Sequence, residues 1–550
     1  MSTGSSASAR ATGCEFLLRA PLGVQTPEDF DADVRLMADA ALQFARGEVM
    51  PVLDRLDAQE EGLMMSLLKK ACDLGFGAVD SPAEFGGLGQ PKAVATRVLE
   101  MLSPNGSFAT TMGVHSGVGQ TPIALFGTDE QKRRYIPPLA RGDYMGAYAL
   151  SEPNSGSDAL SVSCRATLTP DGANWKLNGT KMWISNAKWA GSFIVFAKVE
   201  GERFTAFIVE REHPGVSVSA EEHKMGLKGS STARLVLDGA EIPRDNTLYE
   251  VGEGHRVALN TLNLGRCKLA AMALGQAREA IHQTAKYARE RRQFGRSISE
   301  FGLIRDKLAR MASNVFAAES MLYRTVGCID DAFAAVDPSK GNVAEQNRRA
   351  AEEFAVECSL VKVFATEALG HCVDEAIQVH GGFGFTEEFP VARLYRDARV
   401  MRIYEGTNEI NRLFAFNRLA TKGGLNAALD AEPTTAAGAL FRHAAMAATK
   451  LDTRTQQVDA GLSDLLALTY AQQSVISRAD RMEASRHPRS EFARACADYF
   501  SFLAGVAAYS RAAEVCARVG GEPPVTPELH GVGSDDRIAA AVLEGSQYPL

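Results

Sequence analysis

Two changes of hydrophobic period constrain this chain more than any other feature. From "TPEDFDADVRLMADAALQFARGEV" to about Leu139, apolar residues recur at three- and four-residue spacing, the mark of one helix face, and Thr26 followed by Pro27 reads as a helix start. Between about Gly142 and Arg244 the pattern becomes short β-branched and aromatic runs such as "FIVFAKV" and "FTAFIVE", with "PDGANW" and "LNGT" as turn signals. Long helical patterns return from Gly254, in "HRVALNTLNLGRCKLAAMALGQAREAIHQTAKYARERRQF" and "FGLIRDKLARMASNVFAAESMLYRTV", with lengths that suit an antiparallel bundle. The expected fold is mostly α with a central β domain. Its parts are a disordered tail over 1–25, a helical domain over 26–141, a β domain over 142–250 and a helical bundle over 251–420. Residues 421–550 form a linker, "TKGGLNAALDAEPTTAAG", and an alanine-rich helical extension.

At 550 residues the chain exceeds one ordinary core. With 45% apolar and 23% charged residues it has the balance of a globular protein. A formal charge of −8 and a pI near 5.8 supply no general attraction to nucleic acid or anionic lipid, so no nucleic-acid partner is expected. Nine scattered cysteines without a C-x-x-C pair point to reduced thiols. No apolar run approaches the ~20 residues of a membrane span. The start "MSTGSSASARATGCEFLLRA" is Ser/Ala/Arg-rich in the manner of an organelle transit peptide, but a disordered tail is the plainer reading, and a cytoplasmic location is expected. Dinucleotide G-x-G-x-x-G, phosphate-loop and H-E-x-x-H patterns are missing, and the ten histidines have no metal-ligand spacing, so no metal is expected.

What remains is a set of polar and Gly-rich turns: "YALSEPNSGSDA" (148–159), "KMWISNA" (181–187), "ERRQFG" (290–295), "QVHGGFGF" (378–385) and "YEGTNE" (404–409). Each alone has an ordinary explanation, as a Ser/Asn/Gly turn, a half-buried strand or a helix stop with its Gly cap. In this order and spacing they closely resemble the acyl-CoA dehydrogenase family of flavoenzymes, over about residues 25 to 420, and the very-long-chain branch in particular.

The resemblance implies a helical domain, a β-barrel-like domain and a four-helix bundle, with FAD between the last two and touched by a neighbouring subunit of a homodimer or homotetramer. Tyr148, Leu150, Ser151, Gly156 and Ser157 match positions that contact flavin or the thioester end of the substrate. Ser151 can offer a hydroxyl where negative charge develops on the flavin edge. Trp183 and Ser185 match the flavin wall. Arg291 matches the arginine that reaches the pyrophosphate of the partner's FAD, with Gln293 and Phe294 beside it, a role suited to a guanidinium fork. Gln378, Gly381 and Gly382 match the cross-subunit adenosine contact, and Thr407 and Glu409 the last cofactor turn, where Thr407 also suits a helix N-cap.

Glu405 matches the catalytic base, which takes the proton α to a thioester while hydride leaves the β carbon for the flavin. Beside Tyr404 and an acyl chain it would be desolvated and a stronger base, with Gly406 supplying the bend. The Glu405 backbone N–H and a flavin hydroxyl would hold the thioester oxygen. Some members carry the base on the long helix instead. That position is Gly265 here, next to Arg266, which matches a substrate-side arginine; a surface salt bridge is its ordinary alternative.

Ala109, Gly113 and Gly117 recur every four residues and line one helix face, read as a groove with space for a long acyl chain; close helix packing is the alternative. The expected activity is FAD-dependent dehydrogenation of long-chain fatty acyl-CoA to trans-2-enoyl-CoA, with electron transfer flavoprotein as acceptor. The alternatives are an acyl-CoA oxidase and a non-catalytic assembly factor. The stretch "SVISRADRMEASRHPRSEFAR", with Arg478, Arg481, Arg486, Arg489 and Arg494, reads as a solvated helix face ahead of a membrane-touching one.

Overall fold

The computed structural model describes residues 12–21, 24–451 and 454–550. The helical N-terminal domain opens with a short 3-10 turn, Pro27–Asp29, whose Thr26 N–H donates to Asp29 Oδ2 at 2.7 Å. Its main helices follow: Ala32–Phe44, capped by Asp31, then Leu63–Asp73, Lys92–Met101, Gly106–Ser116 and Asp129–Ala140.

The β domain comprises β1 Met145–Ala149, β2 Arg165–Leu168, β3 Asn174–Ser185, β4 Ala190–Val199, β5 Arg203–Glu210, β6 Val216–Val218, β7 Thr232–Pro243 and β8 Thr247–Leu248. The hydrogen-bonded order is β6-β7-β3-β2-β4-β5-β8, with β1 alongside β4 in parallel. Strands β4 and β5 are buried on both faces, which explains their continuous apolar runs, whereas β3 alternates between buried and exposed positions. "PDGANW" makes the β2–β3 turn, but "LNGT" is a bulge inside β3 and not a turn. The register slips between Leu177 and Gly179, where Gly179 takes φ 152°.

The bundle consists of Gly254–Glu290, Gly302–Ala334, Ala355–His380 and Asn408–Thr421, and the Ala355–His380 helix packs against the other three. Beyond it, Ala436–Lys450, Gln456–Ala484 and Ser490–Val519 pack together, and the latter two also lie on the Gly302–Ala334 helix.

Three expectations change here. Of the tail expected to be disordered, residues 1–11 and 22–23 lie outside the described residues, but Phe16 is buried with its ring 4.8 Å from Tyr470, and its carbonyl accepts from Gln473 Nε2 at 2.7 Å. Burial of apolar side chains outweighs the polar composition around them. The expected linker contains a helix of its own, Gly424–Asp430. The arginine-rich stretch is only partly solvated. Arg478 is fully buried and pairs with Glu28 Oε1 at 2.6 Å and Glu319 Oε2 at 2.8 Å, because acids far away in sequence neutralise it. Arg481 and Arg494 pair with acidic neighbours as well. Among the described residues no helix is long and apolar enough to cross a membrane.

Candidate active site

The "YEGT" turn enters from the short 3-10 turn Arg399–Arg402 and leaves into the Asn408–Thr421 helix. Glu405 (φ 57°) and Gly406 (φ 79°) are both left-handed, an arrangement that costs a non-glycine residue ~1–2 kcal/mol. Surrounding donors over-determine it. Asn411 Nδ2 donates to the carbonyls of Glu405 (3.3 Å), Gly406 (2.8 Å) and Thr407 (3.0 Å). Lys362 Nζ donates to Gly406 O at 2.8 Å and Asn408 Oδ1 at 2.7 Å, and Arg266 Nε reaches Glu405 O at 3.4 Å. Strain held in this way is characteristic of functional turns. Thr407 caps the following helix, its hydroxyl accepting from Ile410 N at 3.3 Å, and Glu409 stands exposed on the first turn. Thr407 therefore spends its side chain on the cap.

Part of Glu405 reaches solvent, but its Oε2 is closed off and has no hydrogen-bond partner. Burial pushes the carboxyl up to about 7, with Arg266 and Lys362 pulling the other way. The Oε2 atom rests against the long helix: a Cβ on Gly265 would lie 3.0 Å from it and 3.2 Å from Val118 Cγ1. The two alternative positions for a base thus face one another in space, and only one of them holds a carboxylate. Arg266 is buried without a carboxylate partner in hydrogen-bond range. It donates to Asn263 Oδ1 (3.0 Å) and Ser359 Oγ (3.1 Å), and its guanidinium lies 5.3 Å from the Phe414 ring, so the surface-salt-bridge alternative fails. Burial and the Glu405 charge hold the Tyr148 phenol well above its usual range, and burial does the same for Tyr404.

Tyr148 lies on β1, and Leu150 and Ser151 follow it. Leu150 O accepts from buried Lys181 at 3.2 Å and Ser151 O from Met182 N at 2.9 Å, which sets this segment beside β3 at Trp183. Trp183 sits where the β3–β7 register slips, with φ 61° and 57% of its surface exposed, although a tryptophan of structural purpose would be covered. Ser185 ends the same strand opposite Thr232. Gly156 and Ser157 are exposed, on a loop pinned by Ser155 Oγ to Asp158 O at 2.7 Å and by the Lys181–Glu152 ion pair at 2.7 Å.

A second group gathers at the far end of the long helix. Arg291, Gln293, Gly381 and Gly382 line an open cleft of about 480 Å³ with Tyr287, His380 and Phe383. Gly381 ends the Ala355–His380 helix at φ 61° with open space where a side chain would be. Gln378 is exposed on that helix's last turn. Phe294, 93% exposed, tips a hairpin between Arg292–Gln293 and Arg296–Ser297. The two groups are not brought together on one chain: 25 helical positions separate Arg266 from Arg291, about 37 Å along the axis.

The expected acyl groove is filled. Ala109 is fully buried, and a Cβ on Gly113 would come within 2.5 Å of Met272 Sδ on the long helix. Gly117 lies one residue past the helix end. The small residues serve close helix packing, and the neighbouring cavity, lined by Leu99, Met112 and Lys268 among others, holds about 10 Å³. Sequence reasoning missed Lys362, Asn411 and Ser359. The one readable sign was a lone lysine in the apolar run "SLVKVFA".

A single carboxylate of raised pKa on a braced turn, with one oxygen free of any partner, is the equipment of a general base. Family models of the acyl-CoA dehydrogenase N-terminal, middle and C-terminal domains match residues 31–143, 147–240 and 252–420, and the chain belongs to the acyl-CoA dehydrogenase family of FAD-dependent oxidoreductases. It is 46% identical over 406 residues to a probable acyl-CoA dehydrogenase of Bacillus subtilis (strain 168), covering 73% of this chain and 68% of that protein. It is 39% identical over 371 residues to the mitochondrial very long-chain specific acyl-CoA dehydrogenase of Homo sapiens, covering 66% of this chain and 53% of the relative, so it spans about half that protein's length. The crystal structure of an acyl-CoA dehydrogenase complexed with FAD from Bacillus anthracis matches with a TM-score of 0.91 and 37% identity, over 98% of this chain and 100% of that one.

Proposed function

We propose that the chain catalyses α,β-dehydrogenation of a fatty acyl-CoA to the trans-2-enoyl-CoA, with Glu405 as base and FAD bound near Trp183. The observation that carries this reading is the partnerless Oε2 of Glu405 in a desolvated setting that raises its carboxyl to about 7. An aliphatic thioester's α proton is weakly acidic, and a base with a pKa near neutrality is matched to taking it. The flavin, when bound, supplies the two-electron acceptor for the β hydride. The residues of this chain do the rest. Glu405 accepts the α proton, its backbone N–H helps to hold the thioester oxygen, and Trp183 and the 148–157 segment exclude water from one face. Arg266 keeps positive charge behind the turn. Arg291, Gly381 and Gly382 gather at the far end of the long helix, about 37 Å along its axis from Arg266, and this separation supports a dimer in which each subunit's Arg291, Gly381 and Gly382 serve the FAD of the other.

Long-chain substrates and electron transfer flavoprotein as acceptor belong to the same proposal. Likeness to the human very-long-chain enzyme supports the former. The test is to mix the flavin-loaded protein anaerobically with acyl-CoAs of graded length. Bleaching of the flavin band, fastest for long chains, is the expected outcome. A yellow protein that no acyl-CoA bleaches would defeat the proposal.

A further inference from the structure

The turn that carries Glu405 has a buried cation beneath it whose charge the proton transfer described so far does not use. Lys362, on the Ala355–His380 helix, has no solvent exposure, yet lysine is among the costliest residues to bury. Its ammonium is spent on the active-site turn, on Gly406 O at 2.8 Å and Asn408 Oδ1 at 2.7 Å. Asn408 is held in turn by Thr366 Oγ1 at 3.2 Å and Glu367 Oε1 at 3.1 Å, both one helical turn along from Lys362.

We propose that Lys362 is a positioning residue for proton abstraction: it clamps the left-handed Glu405–Gly406 backbone from below and, with Arg266, places positive charge behind a carboxylate whose Oε2 stays free of any partner. This rests on the assignment of Glu405 as the base. A carboxylate buried against apolar atoms alone would be protonated at neutral pH, and one paired directly to a cation would be too weak a base. A lysine bonded to the next carbonyl along, and not to the carboxylate, avoids both. The groups facing Glu405 are Arg266 and Lys362 from the two long helices, with Tyr148 from β1 and its own neighbour Tyr404. Those facing Lys362 are Glu405, Arg266, Glu409 and Glu367. Burial brings Lys362 itself down to about 7 against the pull of the facing Glu405, so the ammonium and the carboxylate titrate over the same range and each favours the other's charged form.

The test compares the flavin-loaded wild type with Lys362→Met, Lys362→Gln, Lys362→Arg and Glu405→Gln. The titration of the Glu405 carboxyl is followed by infrared difference spectroscopy, the band being assigned by its loss in Glu405→Gln. Loss of the charge in Lys362→Met should move that titration up by roughly one pH unit or more. The acid limb of the pH profile for anaerobic flavin reduction should move with it, and Lys362→Arg should restore both. Lys362→Gln keeps a donor for Gly406 O and carries the same test if the methionine variant does not fold. A Glu405 titration unmoved in the folded variants overturns the proposal. If Glu405→Gln reduces flavin normally while the infrared shift persists, the base assignment fails and the Lys362–Glu405 coupling stands.

Discussion

Gly265→Ala separates the role of this glycine in the helix from its role at the site. An added Cβ would meet Glu405 Oε2 at 3.0 Å and Val118 Cγ1 at 3.2 Å, so the neighbours have to yield by a few tenths of an ångström. In the interior of the long helix, replacing glycine by alanine gains ~1 kcal/mol of backbone propensity. Overpacking a well-filled site costs ~1–3 kcal/mol. The two nearly cancel, and the melting temperature should move by only a few degrees. Activity has no such compensation. The carboxylate is the softer neighbour and moves, and displacing a reacting group by a fraction of an ångström to an ångström costs up to about 100-fold in rate. Anaerobic stopped-flow reduction of the flavin by acyl-CoA should therefore slow by about 10- to 100-fold in a protein of near-normal stability and flavin content. Full-rate reduction in Gly265→Ala would refute the placement of Glu405 against this helix.

Arg478→Met should strand Glu28 without its cation while Glu319 keeps Arg97 and Arg278, costing about 3 kcal/mol or more in urea unfolding. A loss below ~1 kcal/mol would show that the buried pair does not anchor the extension. Arg291→Ala should lower the flavin-to-protein ratio after gel filtration, and an unchanged ratio counts against the cleft at Gly381 as a cofactor site. Asp397 is buried with Oδ2 unpartnered and is raised to about 7 by burial. Its folded pKa exceeds the unfolded one, so its contribution is complete below about pH 4 and is lost as pH rises through 7. Asp397→Asn should flatten the fall in Tm between about pH 5 and pH 8; an unaltered slope would place that pH dependence elsewhere.

The architecture was legible because hydrophobic period is local: the switch from helical spacing to β-branched runs and back needs no knowledge of partners. Glu405, Arg291 and the Gly381 turn are singled out by motifs alone, and the structure adds that Gly265 faces the carboxylate. Features that depend on distant residues were illegible. Arg478 reads as solvated because its partner Glu28 is 450 positions away in sequence. Lys362 belongs to no motif, and its role appears only when the Ala355–His380 helix passes under the Glu405 turn. The Ala109 and Gly113 face reads equally as groove or packing surface until Met272 is seen to fill it.

The central claim is that Glu405 removes the substrate proton, and Glu405→Gln tests it most directly. Gln is nearly isosteric and leaves the Trp183 wall and the Arg291 cleft untouched, so the variant should purify yellow with full flavin. Mixed anaerobically with an acyl-CoA that bleaches the wild type, it should stay yellow. Bleaching at the wild-type rate would contradict the account.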